Sequence, residues 1–404
     1  MITFIDYHYN GIGGVGQIVV NTTLELNRRN ERTKLYCSSE SYEYKRLIEC
    51  KADFEFVDSD IVSFSQLKDY LTEDDQLVLT TVDDTPLLEK IKKLNNKLIF
   101  YSVHPDTFFW YGHHMDWICS QKAAAIKLIQ SLYENNALYL MDGPNLLSIK
   151  RRGWSVDNYN DFLPVPVKSY IEITRDCNPS DIFNITYLGR GNEDWKIFPV
   201  IKILKDLNKY SMNIKMTVIT DTNSMFVEMI NHYIPNNRIN VEFINNLYGS
   251  SLDDYLYHNS SLHISMGTSA LEGAKLGIPT ILIDYSKEEF PDNYLYRWLY
   301  ESKDYSLAGE IRDSVLPYNY GNTLNEMIES ISDSQSYKLI SDNCREYVEN
   351  NHLISVFVDR LEDAFKKTTM TSKKYCNTRF SKNMYFIKPI VNFASKIKHF
   401  GKES

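Results

Sequence analysis

Gly267-Thr-Ser-Ala-Leu-Glu-Gly-Ala-Lys-Leu-Gly-Ile-Pro-Thr-Ile-Leu-Ile-Asp284 joins a glycine and hydroxyl loop to a helix and then to a buried strand. A hydroxyl at Thr268 or Ser269 can cap the helix start, leaving the first backbone N–H groups to meet a phosphate. Glu272, one turn further in, can reach back over the same ligand. Gly277-Ile-Pro279 ends the helix and launches Thr280-Ile-Leu-Ile283, an apolar run of the kind found in a parallel sheet covered on both faces. A carboxylate beside a phosphate-binding helix start points to the ribose and diphosphate of a nucleotide. An ordinary αβ connection carrying a surface glutamate is the competing reading.

Outward from this stretch the chain alternates strands and helices. Ile2-Thr-Phe-Ile5 reads as a first strand, followed by Gly11-Ile-Gly-Gly-Val-Gly16 and a helical run with Ile18, Val19, Thr22, Leu24 and Leu26. Strands are expected at Lys34–Cys37, Gln76–Thr80 and Lys97–Val103, with helices at Ser65–Leu71 and Pro86–Leu94. Leu163-Pro-Val-Pro-Val167 suits an extended linker. A second series begins with strand Ile185–Leu188 and continues through helix Phe198–Tyr210, strand Lys215–Ile219, helix Ser224–Tyr233 and strand Val241–Ile244, closing with the opening stretch. The pattern predicts an α/β protein of two doubly wound, Rossmann-like domains facing across a cleft, with ligands outside the carboxyl ends of the strands. The expected divisions are 1–166, 167–350, a C-terminal helix at 351–368 returning to the first domain, and a basic amphipathic tail at 369–404. Helical patches from Ser336 to Lys367 are broken near Asn350-Asn-His352.

Composition narrows the functional classes. The chain has 404 residues, enough for two cores, and a formal net charge of −9, which argues against a nucleic-acid partner. From Thr369 onward eight basic residues face one acid, giving that segment +7 and leaving −16 for the rest. Ile390, Phe393, Ala394, Ile397 and Phe400 recur at helical spacing with Lys396 and Lys398 among them, so residues 384–402 could lie on an anionic membrane surface. A helix docked on the protein or a disordered end are the alternatives. The six cysteines form no CxxC pair, and the N-terminus lacks the basic region of a signal peptide, so a cytoplasmic setting is expected.

Several residues could carry chemistry. Gly11–Gly16 satisfies GxGxxG, which keeps an NAD-dependent oxidoreductase open as an alternative. However, Tyr7-His-Tyr-Asn10 separates strand from glycines, and only Glu40 approximates the expected ribose acid. Gly13 and Gly14 let the backbone approach a ligand closely. Leu188-Gly-Arg-Gly-Asn-Glu-Asp-Trp-Lys196 places Arg190 and Lys196 where they could clamp a diphosphate, one forked and one a point charge; a solvated surface pair is the plain reading. Asp58-Ser-Asp60 is a DxD that reads as a loop, so no metal is expected. His104 by itself reads as a core or loop histidine, and His113 and His114 adjoin the aromatic run Phe108-Phe-Trp-Tyr111.

With those residues in view, the chain resembles the GT-B glycosyltransferases, especially the retaining family 4 type that builds bacterial surface polysaccharides. The resemblance rests on Gly13-Gly-Val-Gly16, His104 in Tyr101-Ser-Val-His-Pro105, Leu188-Gly-Arg190 with Lys196, and Leu271-Glu-Gly-Ala-Lys-Leu-Gly-Ile-Pro279. It implies a nucleotide-sugar donor as substrate with no cofactor and an acceptor glycan carried on polyprenyl diphosphate, as in capsule, O-antigen or exopolysaccharide synthesis. It further implies that Arg190 and Lys196 hold the diphosphate, that Glu272 holds the ribose, that Gly13 and Gly14 approach the phosphates, and that His104 lies near the reacting sugar. Gly267, Thr268 and Ser269 would meet phosphate or sugar hydroxyls. One position departs from the family: the second acid usual eight residues before the ribose glutamate is here Ile264. A catalytically silent nucleotide-sugar-binding module of the same fold is a further alternative.

Overall fold

The computed structural model describes residues 1–6, 14–109, 121–169, 183–191, 194–209, 214–221, 224–233, 239–312, 316–318 and 320–385. Gly13, His113, His114 and residues 386–404 lie outside them. The chain divides into two compact units: Met1–Val165 together with Phe357–Ser404, and Pro166–Val356.

The first unit is built on six strands, β1 (Ile2–Ile5), β2 (Thr33–Cys37), β3 (Phe54–Asp58), β4 (Gln76–Leu79), β5 (Leu98–Ser102) and β6 (Leu138–Leu140). They run in the order β3-β2-β1-β4-β5-β6, with every pairing parallel. Five of these strands, all but β3, are largely closed to solvent on both faces, which is why they read as short apolar runs rather than alternating ones. The helix Gly14–Arg28 follows β1 and buries Ile18, Val19 and Leu26. Helices Gln121–Glu134 and Gly143–Arg151 flank β6, and Asp142 caps the second by accepting from Asn145 N at 3.0 Å. Expected helix Ser65–Leu71 is only a 3-10 turn, Leu67–Asp69, short enough to satisfy its backbone with i to i+3 bonds.

The second unit repeats this plan. Strands β7 (Phe183–Leu188), β8 (Ile214–Thr220), β9 (Ile239–Asn245), β10 (Leu262–Ser265) and β11 (Thr280–Leu282) are followed by the two-residue β12 (Tyr285–Ser286), β13 (Arg297–Trp298) and β14 (Glu310–Ile311). The main sheet is ordered β13-β11-β10-β7-β8-β9; β13 alone is antiparallel, and β12 pairs with β14 apart from it. Both units are thus doubly wound sheets whose order reverses beside the first strand, β1 with β4 and β7 with β10, and that reversal opens a crevice at the carboxyl ends. A buried pair fixes the end of β11: the Arg297 guanidinium donates to both Asp284 oxygens at 3.0 and 2.8 Å, and Gly309 N donates to the same carboxylate at 2.7 Å.

The packed chain extends further than the expected tail boundary at 369. Thr368 and Met370 bond to Leu98 at the start of β5, the helix Ser372–Cys376 follows, and residues 379–385 are helical. Tyr375, Phe380 and Met384 are fully buried, so apolar residues spaced through 375–384 carry the chain onto the first unit before the segment beyond 385 begins.

Candidate functional site

Within the second unit, Leu188 and Ser265 are register partners at the ends of neighbouring parallel strands, β7 and β10. Ser265 Oγ donates to the Leu188 carbonyl at 2.7 Å, clipping the two ends together. Gly189-Arg190 and Met266-Gly267 therefore follow neighbouring strand ends at the strand-order reversal, with Gly189 N bonded to the Ile219 carbonyl of β8 and Gly267 N to the Leu307 carbonyl. Arg190 is exposed and pairs with no carboxylate among the described residues. The next residue, Gly191, is buried and donates its N–H to Asp221. That bond anchors the loop behind Arg190.

On the other side of the reversal, only Met266 and Gly267 separate β10 from the helix Thr268–Ala274. This short connection explains the departure at Ile264. Eight residues before Glu272 the chain is still inside the strand, where Ile264 pairs with Tyr187 and Ile281 and is fully buried. Gly267 sits at φ 60° and ψ −146°, a conformation nearly restricted to glycine, and it is the helix N-cap with no side-chain hydrogen bond. The sequence expects a Thr268 or Ser269 hydroxyl to cap the helix; instead both residues fall inside its first turn. Thr268 is exposed and Ser269 half-buried.

Glu272 is half-buried, and its Oε2 accepts from Lys275 Nζ at 2.5 Å. Lys275 also reaches Asp253 at 2.9 Å. Burial opposes the Lys275 ammonium, but these two carboxylates outweigh it and hold its pKa above the ordinary lysine value. A carboxylate has about four acceptor positions, so the pairing orients Glu272 without exhausting it. Lys196 ends the 3-10 turn Asp194–Lys196, and its ammonium stands 4.9 Å from the Trp195 ring centroid. Trp195 packs on Tyr285 of β12 at 5.0 Å, so Lys196 is mostly buried, unlike Arg190.

His263, which sequence reasoning passed over, lies in β10 beneath this helix and is fully buried. Its ring is within 2.9 Å of both Thr186 Oγ1 and the Ser269 carbonyl. Burial pushes its pKa down to about 4.

The first-unit candidates are held differently. Among the described residues nothing lies within 4 Å of where a Gly14 Cβ would stand, whereas a Cβ on Gly16 would strike the Glu43 carboxylate. Gly16 is therefore the glycine whose missing side chain is used by packing. His104 follows β5 and is exposed, with Nδ1 accepting the Asp106 N–H at 3.1 Å. Its turn is tied down by Ser148 Oγ, which donates to the Pro105 carbonyl at 2.8 Å, and by the Arg152–Asp106 ion pair. Phe108 and Phe109 are buried. The Asp58-Ser-Asp60 segment closes its own turn, Asp60 N donating to Asp58 Oδ1 at 2.9 Å. Among the described residues no group of three metal-ligating side chains is assembled. Glu40, the approximate ribose acid of the oxidoreductase alternative, is exposed and paired with Lys45 at 2.7 Å.

No protein-family model matches the sequence, and no curated protein matches it. Solved structures do. A glycosyltransferase from Rickettsia africae superposes with TM-score 0.58 at 14% identity, over 90% of this chain and 97% of that one. S. aureus TarM, solved with UDP among its ligands, gives 0.54 at 9% identity over 90% and 99%. A trehalose-6-phosphate structure from E. coli, bound with UDP-2-fluoro glucose, gives 0.53 at 10% over 92% and 99%. Together with the two parallel-sheet units, these likenesses establish the fold of this chain as that of the GT-B glycosyltransferases, two Rossmann-like domains in one polypeptide.

Proposed function

We propose that the protein is a glycosyltransferase that moves a sugar from a nucleotide-sugar donor to a lipid-linked or growing surface glycan, retaining configuration and working without a metal. The observation that carries this reading is the register of Leu188 with Ser265, by which Gly189-Arg190 and Met266-Gly267 follow the carboxyl ends of neighbouring strands at one strand-order reversal. Glycosyl transfer needs a stabilised leaving diphosphate more than a protein nucleophile, and fixed cations and backbone dipoles supply that stabilisation. In this reading Arg190 meets the diphosphate, the Gly267–Ser269 backbone meets phosphate or sugar oxygens, and Glu272 accepts from the ribose hydroxyls. Lys196 supports the same charge from within the fold, and His104 hydrogen-bonds the transferred sugar.

We assign the acceptor to the membrane surface, as a glycan on polyprenyl diphosphate of the capsule, O-antigen or exopolysaccharide kind. Lys90, Lys93, Arg379 and Lys382 are exposed on helices that pack together, and Lys90 Nζ lies 5.7 Å from the exposed ring of Tyr385. Four further lysines against one acid follow in residues 386–404. Such a surface suits anionic lipid. Among the described residues no helix is long and apolar enough to cross a membrane.

The test is calorimetric titration with UDP, GDP and ADP, followed by sugar-release assays with the matching nucleotide sugars. The reading expects saturable binding of one diphosphate and slow turnover of its sugar conjugate; binding without turnover, even with acceptor extracts, supports a silent binding module instead.

A further inference from the structure

His263 makes two hydrogen bonds in a setting that dictates their direction. The Ser269 carbonyl can only accept, so the nitrogen 2.9 Å from it, Nε2, carries the proton. Nδ1 then accepts from the Thr186 hydroxyl at 2.9 Å, and Thr186 receives from Ser260 Oγ at 2.8 Å. One directed chain therefore runs from Ser260 through Thr186 and the imidazole to the Ser269 carbonyl. Burial keeps the ring neutral, which this order of donors requires.

The far end of that chain fixes a single peptide group. The Ser269–Ala270 peptide has its N–H bonded to the Gly267 carbonyl at 3.1 Å and its C=O bonded to His263. Both ends of the plane are held. Gly267 has no side chain to cap the helix, and His263 anchors this turn from the sheet below.

Room for the ring comes from Gly273. A Cβ there would stand 2.5 Å from His263 Cδ2 and 2.6 Å from Cγ, distances at which something must shift. Gly273 is helical and needs no positive φ, so its missing side chain is explained by the imidazole it accommodates. It also directly follows Glu272, and a rotation of the helix that relieved such a clash would swing that carboxylate.

We propose that His263 is the positioning residue of the nucleotide site, setting the pose of the helix that carries Ser269 and Glu272, with Gly273 as the slot for its ring. The assignment rests on the donor-site reading given above. It is tested by titrating UDP and GDP into the full chain and into His263→Phe, His263→Gln, His263→Val, Gly273→Ala and the double variant His263→Val/Gly273→Ala. Phe keeps the ring volume and deletes both hydrogen bonds, and is expected to weaken binding at least tenfold while the protein still unfolds cooperatively. Gln retains a donor and is expected to recover affinity to within about threefold of wild type.

Gly273→Ala is expected to lose as much as Phe, and to lose less in the His263→Val background, where the two ring atoms it would strike are gone and only the Cβ at 2.8 Å remains. Nitrogen NMR of the imidazole is expected to show the neutral Nε2-protonated tautomer from pH 5 to 8. Binding by His263→Phe within twofold of wild type overturns the assignment while leaving the donor reading standing. Should that variant fail to fold, additive losses for Gly273→Ala and His263→Val overturn it instead. A wild type that binds neither nucleotide overturns the donor reading and this assignment with it.

Discussion

Gly267 concentrates the local cost of the site in one backbone conformation. Its φ of 60° with ψ of −146° is disfavoured for any residue with a Cβ, yet among the described residues a Cβ there would meet nothing within 4 Å. The penalty for substitution is thus conformational rather than steric. Gly267→Ala is expected to lower the unfolding free energy by about 1–3 kcal/mol, measured by urea denaturation; an unchanged midpoint would show that the loop relaxes without strain. Arg190 and Glu272 were singled out as candidates because charge beside glycine and hydroxyl residues is a recognisable ligand-binding composition. His263 was not, since a histidine within Leu262-His-Ile-Ser265 gives no sign of its partners. The available hint was Gly273, a glycine inside a helix with no turn to explain it.

At the scale of elements, apolar strands were legible and polar ones were not. β10 escaped notice because His263 and Ser265 break its apolar run, and both turn out to be satisfied internally, by Thr186 and by the Leu188 carbonyl. β6 is only three residues long, and its assignment depends on pairing with β5. Helix periodicity carried better: the break near Asn350-Asn-His352 falls between Ser334–Asn351 and Ile354–Lys367.

The end of β1 also carries a consequence for pH. Asp6 is buried there, and desolvation, reinforced by Glu43 and Asp84, raises its pKa to about 8 from 3.8. The folded state therefore holds a proton that the unfolded chain releases, so this contribution to stability is complete below pH 3.8 and is lost as pH rises towards about 8. Asp6→Asn is expected to flatten the fall in thermal midpoint between pH 5 and 8 and to raise it at pH 8. A slope identical to wild type would contradict this account of the buried carboxyl.

Over the whole molecule, two repetitions of one sheet order explain why the architecture could be read from alternating segments: each half must bury its own strands on both faces. The extent of the basic C-terminal segment was less legible, because Tyr375, Phe380 and Met384 are interspersed with Lys373, Lys374, Arg379 and Lys382 and look amphipathic on either reading. Their burial shows that truncation after Thr369 would open the first unit's core. Removing residues 386–404 is the cleaner cut. That variant is expected to keep nucleotide affinity and thermal midpoint while losing most binding to vesicles of anionic phospholipid in a flotation assay; full retention of vesicle binding would remove the membrane role from that segment.

The central claim is that the β7 and β10 ends form a nucleotide-diphosphate site, and calorimetric titration of UDP and GDP into wild type and Arg190→Ala tests it most directly. Wild type is expected to bind one of them saturably and the variant to lose at least tenfold, about 1.4 kcal/mol or more, with an unchanged thermal midpoint in the absence of ligand. Equal affinity in the two proteins, or no binding by wild type, would contradict it.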